Sequence, residues 1–226
     1  MSDAVARGWT LHGVTGVRRS RAAQGSVVAV PLVAVLCRPP RERAAAAGIA
    51  LALSRAMGAS CALASVAGSG PAQSLGASPA ARRAAAALSA WNLPGVACGR
   101  LVWLPDRREV GAAGDVAVGA AALSAELGRA AAAAGAPGAV ALPYVRTAAL
   151  DRVLAWHDAI VVVREPDTSE PILQRVLSSL AALGRPVAEM TPPPRLAATL
   201  ALAGLRVPSE AAGAVARLGL TGRSRD

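Results

Sequence analysis

The chain has 226 residues, of which 54% are hydrophobic but only 2% aromatic, with no phenylalanine. This length suits one domain, or one domain with appendages, and the composition predicts a core of leucine, valine and alanine. All 24 basic side chains are arginines, against 14 acidic residues, so the net charge is +10. Because the arginines are scattered along the chain, the charge does not indicate a specific nucleic-acid surface, and we expect none.

Cysteine spacing and hydropathy narrow the classes of protein further. Cys37, Cys61 and Cys98 stand far apart, with no CxxC or HxxxH pair, so we predict buried, reduced thiols and no metal site. No uninterrupted apolar run reaches the roughly 18 residues of a membrane span. The first residues do not resemble a signal peptide. We therefore expect a cytoplasmic protein.

Residues 1–25 contain repeated glycines and clustered arginines without periodicity, and they predict a flexible N-terminal arm. After them, short runs rich in valine or leucine alternate with longer alanine-rich stretches. That alternation is typical of βαβ units and of a parallel sheet buried on both faces. The predicted strands are residues 27–36, 61–66, 99–104, 139–143, 159–164 and 186–190.

Helices are predicted between these strands from capping residues and alanine-rich composition. Residues 42–57 read as the first helix, and Ser78 with Pro79 starts a second that ends near residue 91. A third covers 119–134 and is closed by Gly135. A fourth helix covers residues 148–156 and is capped by Thr147. A fifth is capped by Thr168 or Ser169 and has Gly184 just beyond its end. Two short helices follow, one after residues 192–194 and one after Pro208.

These elements predict an α/β fold with a doubly wound, mainly parallel sheet and helices on both faces. We divide the chain into the arm at 1–25, an α/β domain at 26–206, and a C-terminal helix with a basic tail at 207–226.

Residues 27–190 resemble the MinD/ParA group of deviant P-loop ATPases, including the pilus-assembly relatives called CpaE or TadZ. Residues 27–68 follow the group's first strand, phosphate loop, alanine-rich helix and second strand. Residues 99–106 stand where the group has its third strand. Residues 138–184 look like its Walker B strand, a short helix, a strand in the sequence HDAIVVV, a loop and the next helix. The resemblance implies a P-loop NTPase-like sheet of the SIMIBI type.

The catalytic motifs of that group are missing from this chain. Residues 37–44 read CRPPRERA, whereas a working phosphate loop needs glycines, a lysine and a Ser or Thr. The two prolines remove two backbone N–H donors. Leu142 and Pro143 stand where the Walker B carboxylate would be, and residues 65–68 end the second strand without one. We predict no catalytic residues, no bound cofactor and no enzymatic activity.

Arg38, Arg41 and Arg43 occupy the degenerate phosphate-loop position. They could clamp phosphate in another way, because they follow a strand and begin a helix. Alternatively they are solvated first-turn residues around Glu42, the interpretation that we favour.

Two further groups of polar residues have both a functional and a structural interpretation. His157 and Asp158 could form an acid–base pair, but no nucleophile is identifiable beside them, and we favour a helix-to-strand turn. Glu165, Asp167 and Glu170 could hold a cation, but we favour solvated loop charges near a helix N-terminus.

We therefore expect a non-catalytic binding or regulatory subunit that works through protein–protein contacts, with an active ATPase homologue or with itself. Cell-division positioning, pilus assembly and secretion are contexts that the resemblance implies. Residues 210–225 are similar to the basic amphipathic helix with which MinD-like proteins often end, and predict weak, reversible membrane contact. Two alternatives stay open: an enzyme of another class on the same scaffold, and an arginine-mediated adaptor for nucleic acid or membrane.

Overall fold

A seven-stranded sheet organises residues 30–67, 75–105, 113–143 and 147–220, which are the residues that the computed structural model describes. The predicted arm at 1–25 lies outside them. The strands within these ranges are β1 (Leu32–Cys37), β2 (Ala62–Val66), β3 (Val96–Cys98), β4 (Leu101–Leu104), β5 (Gly138–Pro143), β6 (Ala159–Val163) and β7 (Val187–Met190). The helices are α1 (Glu42–Ala56), α2 (Pro79–Ala90), α3 (Ala113–Ala134), α4 (Ala148–Leu154), α5 (Glu170–Ala181), α6 (Arg195–Leu202) and α7 (Ser209–Leu218).

The strands are arranged in the order β3-β4-β2-β5-β1-β6-β7. Every neighbouring pair is parallel except β3 and β4, which are antiparallel. The first strand of the sequence therefore lies inside the sheet, between β5 and β6. These observations confirm the predicted α/β fold with a mainly parallel sheet, and the arrangement is consistent with double winding.

Three elements differ clearly from their predictions. Strand β1 begins at Leu32, whereas the predicted strand starts at residue 27; residues 27–29 lie outside the described ranges, and residues 30 and 31 are not in a strand, since Pro31 has no N–H to donate to a ladder. Strand β3 was not predicted, because a run of three residues after Pro94 and Gly95 is too short to show periodicity. Its pairing with β4 supplies the hydrogen bonds that hold it extended. Helix α3 begins at Ala113 rather than at Gly119, since glycine lowers helix propensity without preventing a helix.

Apolar side chains cover both faces of the sheet. One face packs against α1, α6 and α7, and the other packs against α2, α3, α4 and α5. Within α1, every residue from Ala45 to Ser54 is buried. A helix that is apolar all round must be covered on all sides, and α1 lies between the sheet on one side and α6 and α7 on the other.

The C-terminal helix α7 is part of this core. Its apolar residues Ala211, Ala214, Val215 and Leu218 are buried against α1 and β7. Val215 and Leu218, the larger apolar residues of α7 on which we based membrane contact, are thus already covered, whereas Ala216 is exposed. Membrane contact stays a prediction, and it would have to use other residues or a displaced helix.

Two turns meet backbone to backbone at Gly99 and Gly204, a contact that we call the glycine junction. The backbone nitrogen of Arg100 donates to the carbonyl oxygen of Gly204 at 3.1 Å. Gly204 has a φ of +69°, and a Cβ atom built on it would overlap the carbonyl oxygen of Cys98. The junction joins the turn between β3 and β4 to the turn that follows α6.

Candidate functional site

The helices that follow the strands change from one face of the sheet to the other at β1. Helix α1 follows β1 on one face, whereas α4 and α5 follow β5 and β6 on the other face. In open α/β sheets, ligands bind outside the carboxyl ends of the strands where such a reversal occurs. Arg38 and Arg41 lie in the loop between β1 and α1, and Arg43 lies in the first turn of α1, so all three belong to this edge.

The loop between β1 and α1 offers few backbone donors to an anion. It consists of residues 38–41, and Pro39 and Pro40 have no N–H group. The Arg41 N–H is already used, because it donates to the Arg38 carbonyl oxygen at 3.1 Å. Helix α1 starts after Arg41 without a side-chain cap, so the backbone donors at this edge are the first N–H groups of the helix rather than those of the loop.

The Arg41 side chain instead forms an ion pair with a carboxylate at the end of the neighbouring strand. Its Nη1 donates to Oε2 of Glu165, which lies just after β6, at 2.9 Å. The Arg41 side chain is 34% exposed and the Glu165 side chain only 15%. The second carboxylate oxygen of Glu165 is buried without a hydrogen-bond partner among the described residues. The pair therefore ties the start of α1 to the end of β6.

A second set of ion pairs continues along the same edge. Arg164 contacts Oε1 of Glu189 at 3.3 Å and Oε2 of Glu170 at 3.1 Å. Glu165 and Glu170 thus have different arginine partners, and the acidic patch does not converge on one point. Across the ranges that the structure describes, no group of three or more histidine, cysteine or carboxylate side chains is placed to hold a metal ion.

These contacts change the interpretation of two residues. We predicted that Arg41 and Glu165 are solvated charges, but both are partly or largely buried and paired with each other. They are 124 positions apart in the chain, so no local pattern in the sequence could reveal the pairing. The phosphate clamp by Arg38, Arg41 and Arg43 stays the alternative interpretation, and the geometry does not test it.

His157 and Asp158 form a structural turn, which matches the interpretation that we favoured. Oδ2 of Asp158 accepts from the Leu32 N–H at 2.9 Å, and the Asp158 N–H donates to the Leu32 carbonyl oxygen at 2.8 Å. Asp158 thus anchors the first residue of β1. His157 is fully buried with Nδ1 3.1 Å from the Val153 carbonyl oxygen, and its pKa is lowered to about 4, mainly by burial.

The three cysteines are buried, as predicted, and none of them forms a disulfide bond. Burial raises the pKa of each thiol, and the charges of Glu42 and Glu165 add to the effect at Cys37. A thiol with a raised pKa is a poor nucleophile near neutral pH, because the thiolate is the reactive form. These cysteines are therefore core residues in the geometry described.

One helix in the described ranges is long and apolar enough to cross a membrane by length and composition. It is the segment Val116–Ala134 of α3, of which 33% is buried. Helix α3 packs against β5, β2, α2 and α4. The core helix of a soluble protein passes the same test.

Comparisons of the chain with protein-family models, with curated proteins and with solved structures find no match. The likeness to the MinD/ParA group therefore rests on the sequence features given above.

Proposed function

We propose that this chain is a non-catalytic relative of the MinD/ParA ATPases, with a P-loop NTPase-like sheet, which acts as a binding or regulatory subunit through protein–protein contacts. The observation that carries the proposal is the Arg41–Glu165 ion pair, because it spans the edge where a phosphate loop would hold nucleotide.

Phosphate binding at this edge would have to overcome three features of the chain. The loop has two prolines where backbone donors are needed. The Arg41 guanidinium is engaged by a carboxylate. Releasing it would leave the largely buried Glu165 charge without its partner, which costs about 1–3 kcal/mol for a partly exposed pair.

Glu165 also disfavours phosphate directly. Its carboxylate is paired with Arg41, so a phosphate held by this arginine would come close to a negative charge, and like charges repel strongly where water is partly excluded. The same residue stabilises the loop in its present form. The pair thus supports a loop that serves the fold rather than a nucleotide.

Exposed apolar side chains support a role in protein–protein contact. Leu196 is 72% exposed and Leu205 59%, and both border one concave surface beside α6. Large exposed apolar residues are typical of interaction surfaces when they cluster. The biological context, whether positioning, pilus assembly or secretion, follows only from the family resemblance.

Thermal unfolding with and without nucleotide tests the proposal. We expect ADP or ATP with Mg²⁺ to leave the Tm unchanged, because a ligand that binds only the folded state must raise apparent stability. A rise of about 2 °C or more at saturating nucleotide would contradict the proposal. So would Mg²⁺-dependent phosphate release that Arg41→Ala abolishes.

The variant Glu165→Gln is the matched probe of the ion pair. It keeps the shape of the side chain, removes the negative charge and frees the Arg41 guanidinium. We expect it to gain weak stabilisation by pyrophosphate that the natural chain lacks. Equal stabilisation of both proteins would show that the pair does not exclude phosphate.

A further inference from the structure

A second concave surface lies at the opposite edge of the sheet from the Arg41–Glu165 pair. It is a groove of about 790 Å³, bordered by the end of α1, the turn between β3 and β4, α6 and the start of α7. Arg55, Arg100 and Arg206 line it, together with apolar residues that include Leu196 and Leu205. We call it the arginine groove.

The lining of the arginine groove is positively charged, and the nearest carboxylate along the chain, Glu210, accepts a hydrogen bond from Ser209 of the lining at 3.2 Å. Its three arginines are exposed, and no aspartate or glutamate is among the described residues that line it. By contrast, Arg41 and Arg164 at the other edge are paired with carboxylates. Three like charges gathered around one concavity repel each other, so an anionic partner would be stabilised there.

Part of the lining of the arginine groove is apolar. Leu196 is 72% exposed and Leu205 59% exposed, and Leu200 lines the same surface. Apolar side chains surrounded by charged ones are the arrangement of protein–protein recognition sites, with an apolar centre and a polar rim. A free phosphate would use the arginines but not the leucines.

The backbone that forms this groove is held rigidly. The glycine junction fixes Arg100 against the turn that carries Leu205 and Arg206, through the hydrogen bond from Arg100 to Gly204. The Leu205 N–H donates to the Leu200 carbonyl oxygen at 2.9 Å, which closes the end of α6. A preformed site loses less conformational entropy when it binds.

We propose that the arginine groove binds an acidic segment of a partner protein that also carries leucines or similar apolar side chains. This inference rests on the proposed binding role and names the chemistry of the partner. Carboxylates of the segment would meet the three guanidinium groups, and its apolar side chains would cover Leu196 and Leu205.

Other occupants fit the arginine groove less well. The chain's own ends, residues 1–29 and 221–226, each have more arginines than acidic residues, so their charge has the wrong sign. A lipid bilayer is flat on this scale and does not follow a concave surface. Nucleic acid would place charged phosphates against leucines, and none of the described lining residues is an aromatic on which a base could stack.

Fluorescence anisotropy with a labelled synthetic peptide tests the proposal. The peptide has about 15 residues, with leucines at helical spacing and glutamates at the other positions. We expect saturable binding to the full chain. Substituting the three groove arginines by serine should weaken it about tenfold, which corresponds to about 1.4 kcal/mol. The variant Leu196→Ser should weaken it too, and the affinity of the natural chain should fall with added salt.

The matched control replaces three exposed arginines elsewhere, Arg82, Arg83 and Arg152, by serine. It changes the net charge equally, and we expect it to bind the peptide like the natural chain. Equal weakening by both triple variants would overturn the proposal, because net charge alone would then account for binding. Circular dichroism of each variant establishes that it is folded.

Three other results would also overturn the proposal. The first is that the natural chain shows no saturable binding of the peptide, and the second is that a polyglutamate peptide without leucines binds equally well. The third is a dimer in solution that the groove substitutions dissociate, because the occupant of the groove would then be a second copy of the chain. In a parallel measurement, vesicles containing phosphatidylglycerol replace the peptide, and binding to the vesicles alone would assign the groove to membranes.

The nucleotide experiments are independent of the peptide and vesicle experiments. The groove proposal can therefore be wrong while the proposed non-catalytic role stands.

Discussion

Replacing Gly204 by alanine should destabilise the protein strongly, because two separate costs act at the glycine junction. Gly204 has a φ of +69°, which costs an L-residue about 1–2 kcal/mol. The added Cβ would also overlap the Cys98 carbonyl oxygen and lie 2.9 Å from the nitrogen atoms of Arg100 and Leu101. Backbone atoms cannot rotate away as a side chain can, so we add about 1–3 kcal/mol for overpacking. The expected loss in the free energy of unfolding is about 2–5 kcal/mol.

Gly184 provides the control for the first of these costs. It has a φ of +70°, but a Cβ built on it would have no heavy atom within 4 Å. Gly184→Ala should therefore lose only the backbone term of about 1–2 kcal/mol. Urea unfolding followed by far-UV circular dichroism measures the free energy of unfolding of both variants. The comparison holds when the slope of this free energy against urea concentration is the same for both. Equal losses for the two variants would refute the steric argument and the close contact on which it depends.

The substitution Gly204→Ala also tests the role of the glycine junction in the arginine groove. Gly204→Ala must separate the turn at Arg100 from the turn at Leu205 to relieve the overlap, so the groove arginines would move apart. We expect weaker binding of the acidic peptide under conditions where the variant is still folded. Unchanged affinity would mean that the junction does not position the groove.

Three further predictions concern buried charges and thiols. Arg41→Ala should lower the free energy of unfolding by about 1–3 kcal/mol, because the Glu165 carboxylate stays buried and loses its arginine partner. A double-mutant cycle with Glu165→Gln should show coupling between the two residues, and additive losses would contradict the ion pair. Folding lowers the pKa of the buried His157 from 6.5 to about 4, so between pH 6.5 and pH 4 only the unfolded state binds a proton on this imidazole. About 3 kcal/mol of the free energy of unfolding should therefore be lost as the pH falls from 6.5 to 4. Urea unfolding at several pH values should show a flatter pH dependence for His157→Leu, and identical curves would contradict this assignment. The three cysteines should react with Ellman's reagent about a hundredfold more slowly in the native protein than in urea, and one fast native thiol would contradict their burial.

Local chemistry made most of the fold predictable from the sequence. Ser78 and Thr147 were predicted as helix caps, and each accepts a hydrogen bond from the backbone N–H three residues later, at 3.1 Å. The valine-rich run of β6 and the alanine-rich run of α1 were likewise read from composition and pattern alone. These signals depend on neighbours within a turn or a strand, which the sequence displays directly.

Features that depend on distant residues were not predictable. The arginines looked scattered along the sequence, yet Arg55, Arg100 and Arg206 line one groove, because the turns and helix ends that carry them meet in space. Strand β3 exists only because β4 pairs with it. The Arg41–Glu165 pair likewise joins the ends of two strands that lie far apart in the chain and adjacent in the sheet.

The interior position of β1 in the sheet has a consequence for how the chain is made. Its partners arrive late, since Leu32 pairs with Gly138 and Val33 with Ala159. During synthesis, β1 and the apolar helix α1 must therefore wait until most of the sheet has left the ribosome. Long-range parallel pairing of this kind folds slowly, and the waiting apolar segment is prone to aggregate. We expect the nascent chain to depend on chaperones until β5 and β6 are available.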